Sequence, residues 1–203
     1  KNIILVLMNG RPLAIPWADE HIPAIVEAWQ LGTQSGKAIA QVLYGEYNPS
    51  GKLPMTFPRS VGQVPIYYNH FRTGRPNKEP NVFWSHYSDE SNDPLYPFGF
   101  GLSYTTFDYS DMRVDASDNE AIKVSVSVRN TGSVAGEEVV QLYIHDHAGS
   151  LVRPVKELKG FSKLMLEAGE SKIVEFVLTD AELGFYTNEG AYVVEAGNFD
   201  VMV

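Results

Sequence analysis

The fold of this chain turns on Tyr96-Pro97-Phe98-Gly99-Phe100-Gly101-Leu102-Ser103-Tyr104-Thr105-Thr106-Phe107. Before this stretch the sequence is rich in Gly, Pro and aromatic residues around one helix-like run; after it, nearly every apolar residue alternates with a polar one. It is the joint between two architectures. Pro97 fixes φ and lacks a donor, and Gly99 and Gly101 admit φ values closed to other residues. The backbone can therefore turn sharply while five aromatic rings pack around it. A flexible linker has no need of that much aromatic surface, although composition alone also allows an ordinary Gly/Pro turn ahead of a first strand.

Downstream, from Thr105, the pattern is that of strands. Ile122, Val124, Val126 and Val128 alternate with Lys123, Ser125, Ser127 and Arg129, a half-buried strand closed by the turn Asn130-Thr131-Gly132. Val140, Leu142 and Ile144 form the inward set of the next. Leu158 to Leu166, Ile173 to Leu178, Tyr192 to Glu195 and Phe199 to Val203 continue the series, with turns at Gly169-Glu170 and Gly197 and a short helical turn at Asp180 to Leu183. About seven strands in roughly 100 residues, with regular turn signals, predict a two-sheet sandwich of the immunoglobulin or fibronectin type.

Upstream, Ile3-Ile4-Leu5-Val6-Leu7-Met8 is continuously apolar, as expected of a parallel strand covered on both faces. After the turn Asn9-Gly10-Arg11-Pro12, the runs Leu13-Ala14-Ile15 and Ala24 to Trp29 read as further strands of the same sheet. Gly32 to Gly36 opens a helix whose Ala38, Ile39, Val42 and Leu43 share one face. Strand, loop and helix in that order is α/β. One helix and three short strands cannot cover a parallel sheet, so residues 1–60 read as the tail of a larger α/β domain, 61–104 as an aromatic-rich connecting loop, and 105–203 as the sandwich. Both chain ends fall within strand-like runs, as in a piece cut from a longer protein.

Hydrophobic residues make up 44% of the 203 and aromatic residues 12%, which excludes a disordered chain. A formal charge of −9 argues against nucleic acid or an anionic membrane surface as partner. With no cysteine, neither a disulfide framework nor a thiolate metal site can form. The longest apolar run, Ile3 to Met8, is far short of the 18 or so residues of a membrane span.

Two motifs invite chemistry and do not support it. Gly32-Thr33-Gln34-Ser35-Gly36-Lys37-Ala38 resembles a phosphate loop, but it has three residues between the glycines where the motif needs four, and Ala38 stands where a hydroxyl would hold magnesium. His145-Asp146-His147 places two imidazoles on one side of an extended chain, yet offers no third ligand nearby, so it reads as the polar face of an edge strand. No cofactor and no metal are called for. The long segment Pro65 to Asp93 is different, because a loop of that length without a core of its own is often functional. Within it, Trp84, Tyr87, Asp89 and Glu90 combine rings that can stack on a pyranose with carboxylates that can accept from its hydroxyl groups; the alternative is packing of the loop against its own protein.

The stretch from Tyr96 to Phe107 resembles the segment that leads into the C-terminal fibronectin type III-like domain of glycoside hydrolase family 3. Met8 to Leu13, Asn48-Pro49-Ser50-Gly51-Lys52-Leu53-Pro54, Asn130-Thr131-Gly132, Val139 to Tyr143 and Arg153 to Phe161 agree with the family in the same order and span almost the whole chain. Arg59 to Pro65 and Thr73-Gly74-Arg75-Pro76 resemble its periplasmic bacterial members in particular. The resemblance implies the end of an α/β sandwich domain followed by a fibronectin-like domain, in a β-glucosidase-like hydrolase of the periplasm or the secreted fraction. It also implies a Gly-rich strand-to-helix turn at Gly32. In that family the nucleophile is an Asp on an N-terminal (β/α)8 barrel and the acid/base lies earlier in the second domain. No residue here matches the Ser-Asp-Trp nucleophile motif, so no catalytic residue is assigned. The implied partners are the rest of the parent chain and, through it, a glucoside or oligosaccharide; the part itself is a scaffold, expected to be inactive alone. The rival reading is a free-standing carbohydrate-binding or adhesive sandwich.

Overall fold

The computed structural model describes residues 2–75, 83–118 and 121–203. Two compact units emerge: Lys1–Asn48, Lys52–Tyr68 and Thr73–Gly101 form the first, and Pro49–Gly51, Asn69–Arg72 and Leu102–Val203 the second.

In the first unit, β1 (Ile4–Leu7) and β2 (Ala24–Glu27) pair in parallel, with Leu5 opposite Ile25 and Leu7 opposite Glu27. The crossover between them is not the expected strand. Leu13-Ala14-Ile15 is irregular and leads into helix α1 (Pro16–His21), because Pro16 supplies a helix-ready φ at the first turn and Pro12 removes a donor just upstream. β2 stops at Glu27 because Trp29 adopts a left-handed φ of 47°. Helix α2 (Ser35–Leu43) comes after a 3-10 turn at Gly32–Gln34, entered through Gly32 at φ 73°. Among the described residues only β2 pairs with β1, and β1 is not covered on both faces: Ile4 is 48% exposed.

The stretch on which the fold turns doubles back on Leu53–Phe57. Leu53 donates to Phe100 O at 2.8 Å, Gly99 to Leu53 O at 2.8 Å and Phe57 to Tyr96 O at 2.8 Å. Of the two glycines only Gly99 uses its freedom, at φ 82°. The rings form a ladder: Tyr96 stacks on Phe100 at 5.4 Å, Phe57 meets Tyr96 edge-on at 6.1 Å, and Phe98 stacks on Tyr68 at 4.2 Å. Burial, and then the hydrogen bond its hydroxyl gives Asp19 at 2.5 Å, hold the Tyr96 phenol well above its ordinary pKa.

The second unit is a two-sheet sandwich. One sheet has the order β10 (Phe199–Met202), β5 (Gly136–Asp146), β6 (Glu157–Leu166). The other has the order β3 (Phe107–Asp115), β4 (Ile122–Asn130), β7 (Ser171–Leu178). All these pairs are antiparallel. A small hairpin pairs β8 (Phe185–Tyr186) with β9 (Tyr192–Val193), after helix α3 (Asp180–Leu183). Thr179 caps α3 and Glu182 reaches back to the Thr179 N–H at 2.7 Å, a reciprocal capping box.

The period-two readings of β4 and β5 hold: Val124, Val126 and Val128 face Val140, Leu142 and Ile144 in two contiguous clusters completed by Leu166, Val174 and Leu178. Asn130, at the end of β4 and fully buried, spends every polar atom. Its Oδ1 accepts from Thr105 Oγ1 (2.6 Å) and Gly132 N (3.1 Å), and its Nδ2 donates to Val134 O (2.8 Å) and Leu166 O (3.0 Å). Burial and the Glu138 carboxylate raise the Tyr109 pKa, so its hydroxyl stays protonated and donates to Glu138 at 2.9 Å.

This contrast in burial predicts unequal local stability, since amides open most easily where few apolar contacts cover them. Hydrogen exchange on a dilute monomer should show Leu5 to Leu7 exchanging faster than Val124 to Val128. Equal or stronger protection of β1 would contradict it.

Candidate functional site

The aromatic loop is built on Gln63, the last residue of a 3-10 turn, Val61–Gln63, capped by Ser60. Gln63 is buried, so its amide must be paired. Its Oε1 accepts from Arg59 N at 2.6 Å, and its Nε2 donates to Ser91 O at 2.7 Å and Asp93 O at 3.4 Å. Arg59 Nε adds a bond to Asp93 O at 3.1 Å. Farther out, Asn92 bridges the loop, accepting from Tyr87 N at 3.1 Å and donating to Ser85 O at 2.8 Å. The base is pinned and the tip faces solvent.

The tip carries the four residues read from sequence. Trp84 is half-buried, Tyr87 and Asp89 are exposed, and Glu90 turns back to accept from Ser91 N at 2.9 Å. Among the described residues Asp89 has no hydrogen-bond partner, and no ring contact joins Trp84 to Tyr87. The four thus share one loop. The spacing Ser60-Val61-Gly62-Gln63 is a capping-box signal that could have marked the turn, whereas the bonds by which Gln63, Arg59 and Asn92 hold the loop run to backbone atoms and carried no local signal.

A second polar cluster sits at the carboxyl ends of β1 and β2. Glu27 Oε1 accepts from Trp29 N at 2.8 Å, and Glu27 Oε2 accepts from Asn9 Nδ2 at 3.3 Å. Asn9 Nδ2 also donates to Arg11 O at 2.7 Å, while among the described residues Asn9 Oδ1 is buried without a partner. The Trp29 ring meets Phe57 edge-on at 6.0 Å. Asn9 and Trp29 were legible only as turn and strand residues; their place at the carboxyl ends of parallel strands was the available signal.

His145-Asp146-His147 does not lie on an edge strand. β5 is the middle strand of its sheet, because β10 pairs along Tyr143 to Asp146. The two imidazoles stand 5.0 Å apart, and His147 Nε2 lies 3.0 Å from Asp200 Oδ2. That hydrogen bond is the main reason the Asp200 carboxyl sits below its ordinary pKa. Asp146 is buried, accepts from Ala148 N at 3.2 Å and lies 3.4 Å from Arg153 Nε. Arg153 in turn pairs with Glu157 at 2.7 Å and covers the Phe185 ring at 4.3 Å. These charges hold the loop 147–153 to the sheet.

Residues 1–104 match the glycosyl hydrolase family 3 C-terminal domain, and residues 138–203 match the fibronectin type III-like domain. The chain belongs to glycoside hydrolase family 3. Within that family it is 50% identical, over all of its length, to a periplasmic beta-glucosidase of Salmonella typhimurium, of which it covers 27%. It is 44% identical to a beta-xylosidase of Formosa agariphila, again over its whole length and 28% of that protein. Among solved structures, the Listeria innocua beta-glucosidase in complex with gluconolactone superposes on 99% of the chain with a TM-score of 0.92 at 42% identity, over 28% of its own length. The family 3 chain thus spans little more than a quarter of the relatives it matches.

Proposed function

We propose that this family 3 chain serves a β-glucosidase-type glycosidase as the C-terminal part of a longer protein. In this reading it acts as scaffold, and the loop 83–93 stands at the substrate entrance. The observation that carries this is the full-length match to glycosidases that extend well beyond it, two of them named beta-glucosidases. The pinned base and open aromatic and acidic tip of the loop support the second part, since sugar sites pair a ring face with a few fixed polar groups. The name of the Salmonella relative supports a periplasmic location; among the described residues no helix is long and apolar enough to cross a membrane.

Assay of the longer protein with p-nitrophenyl β-D-glucoside tests both parts. Hydrolysis is expected. Trp84→Ala and Asp89→Ala should each raise KM by about fivefold, the equivalent of one lost contact of ~1 kcal/mol. The Tm of Asp89→Ala should stay near wild type, because exposed substitutions usually change stability by about 0.5 kcal/mol or less, and that of the half-buried Trp84→Ala should fall by less than its KM change would suggest. Unaltered kinetics in both variants would leave the loop a packing element.

A further inference from the structure

We propose that the carboxyl edge of the β1–β2 pair is a pyranose-facing surface on which Trp29 presents its ring and Glu27 acts as a positioning residue. The proposal rests on the β-glucosidase reading above. Four independent observations meet at this edge. Trp29 occupies the left-handed region, a strained conformation for a non-glycine residue that collects at functional sites. The one other non-glycine residue with positive φ among the described residues, Asp111, sits in a bulge of β3 that accounts for it. Near Trp29 the chain does use glycine where a left-handed turn is wanted, at Gly32, yet it keeps its largest side chain at the strained position.

The second observation is the orphaned acceptor of Asn9. Its amide cannot be reversed, because Nδ2 already faces two acceptors, Arg11 O and a Glu27 oxygen. Among the described residues Oδ1 is therefore left buried without a donor, an arrangement that is destabilising unless something supplies one. Third, open α/β sheets take their ligands outside the carboxyl ends of parallel strands, and both loops of this cluster leave from those ends. They approach closely there: a Cβ on Gly10 would stand 3.2 Å from Gln30 Nε2. Fourth, the half-buried Trp29 ring rests on a fixed base, since Phe57 beneath it is 1% exposed and is itself braced by Tyr96. A ring held on a rigid support, beside an amide oxygen and a carboxylate, suits a ligand that combines an apolar face with hydroxyl donors. Glu27 makes that arrangement by holding the Trp29 N–H with one oxygen and the Asn9 amide with the other.

The test is made in the longer protein, with Glu27→Ala and Glu27→Gln assayed on p-nitrophenyl β-D-glucoside across pH and by thermal denaturation in parallel. Glu27→Ala should lower kcat/KM by roughly 10- to 100-fold, the usual consequence of misplacing a positioning group by about 1 Å. Both limbs of the pH profile should stay in place, because Glu27 transfers no proton. Glu27→Gln keeps an acceptor for the Trp29 N–H and should recover most of the activity; if the alanine variant does not fold, Trp29→Gly, which suits the left-handed backbone and removes the ring, should show the same loss of kcat/KM. Unchanged kcat/KM in Glu27→Ala, or in Trp29→Gly where it replaces that variant, a loss that disappears when the assay temperature is lowered below the variant's Tm, or a displaced pH limb would each overturn the proposal. An inactive wild-type protein would overturn the β-glucosidase reading together with it, whereas an active wild type with that variant unaffected overturns this proposal alone.

Discussion

Purified as these 203 residues, the protein is expected to leave p-nitrophenyl β-D-glucoside at its uncatalysed rate. A retaining glycosidase needs two carboxyl groups roughly 5 Å apart, one as nucleophile and one as acid and base, and without them the reaction forgoes an enhancement that is typically about a million-fold or more. Among the described residues, the two carboxylates buried in the sandwich are already committed. Glu138 accepts from Tyr109, and Asp146 is tied to the Ala148 N–H and to Arg153. Asp89 stands exposed to solvent, whereas a general acid works from a sheltered, water-poor position. Turnover by the chain alone, shown by mass spectrometry to be free of longer species, would sink the scaffold reading.

The second large effect concerns Asn130. Asn130→Ala removes the side-chain amide at once and leaves Val134 O, Leu166 O, Gly132 N and Thr105 Oγ1 to find other partners in a buried setting. At ~1–3 kcal/mol for each group left unsatisfied, and allowing for relaxation at the less buried turn, the loss should be about 3–5 kcal/mol. That is a large share of the roughly 5–15 kcal/mol typical of a whole domain. Asn130→Asp keeps the acceptors but turns an oxygen toward two carbonyls, so it should rescue little. Urea denaturation of the sandwich signal measures both; a loss under about 1 kcal/mol would show that the four bonds are replaceable by water.

The sandwich was legible because its strands announce themselves locally. Val124, Val126 and Val128 alternate with polar residues, and Val140, Leu142 and Ile144 do the same, so the inward set can be read from period alone. The first unit was less legible, and for a definite reason. Leu13-Ala14-Ile15 has strand-like residues, but the prolines on either side deny it a ladder, and Pro16 starts α1 directly after it. Trp29 could not be foreseen as left-handed, because the force that holds it there is the Glu27 carboxylate and not its own preference. The family, by contrast, was readable from dispersed short motifs that no single element needs. In the loop 83–93 the sequence exposed the aromatic and acidic tip but not the support: Gln63 reaches Ser91 and Asp93 across 28 and 30 residues, a pairing invisible to any local pattern.

The second unit takes in Pro49–Gly51 and Asn69–Arg72 as well as its own strands. Ser50 Oγ donates to Glu137 at 3.1 Å across 87 residues, and Val155 N donates to His70 O at 2.9 Å. During synthesis these early segments leave the ribosome well before the strands they bind, and they wait, unpaired, until β5 and the loop after it have been made. Chains grow at about 5–20 residues per second, so Ser50 waits several seconds for Glu137. Completion of this unit is therefore a late event that must reach back along the chain.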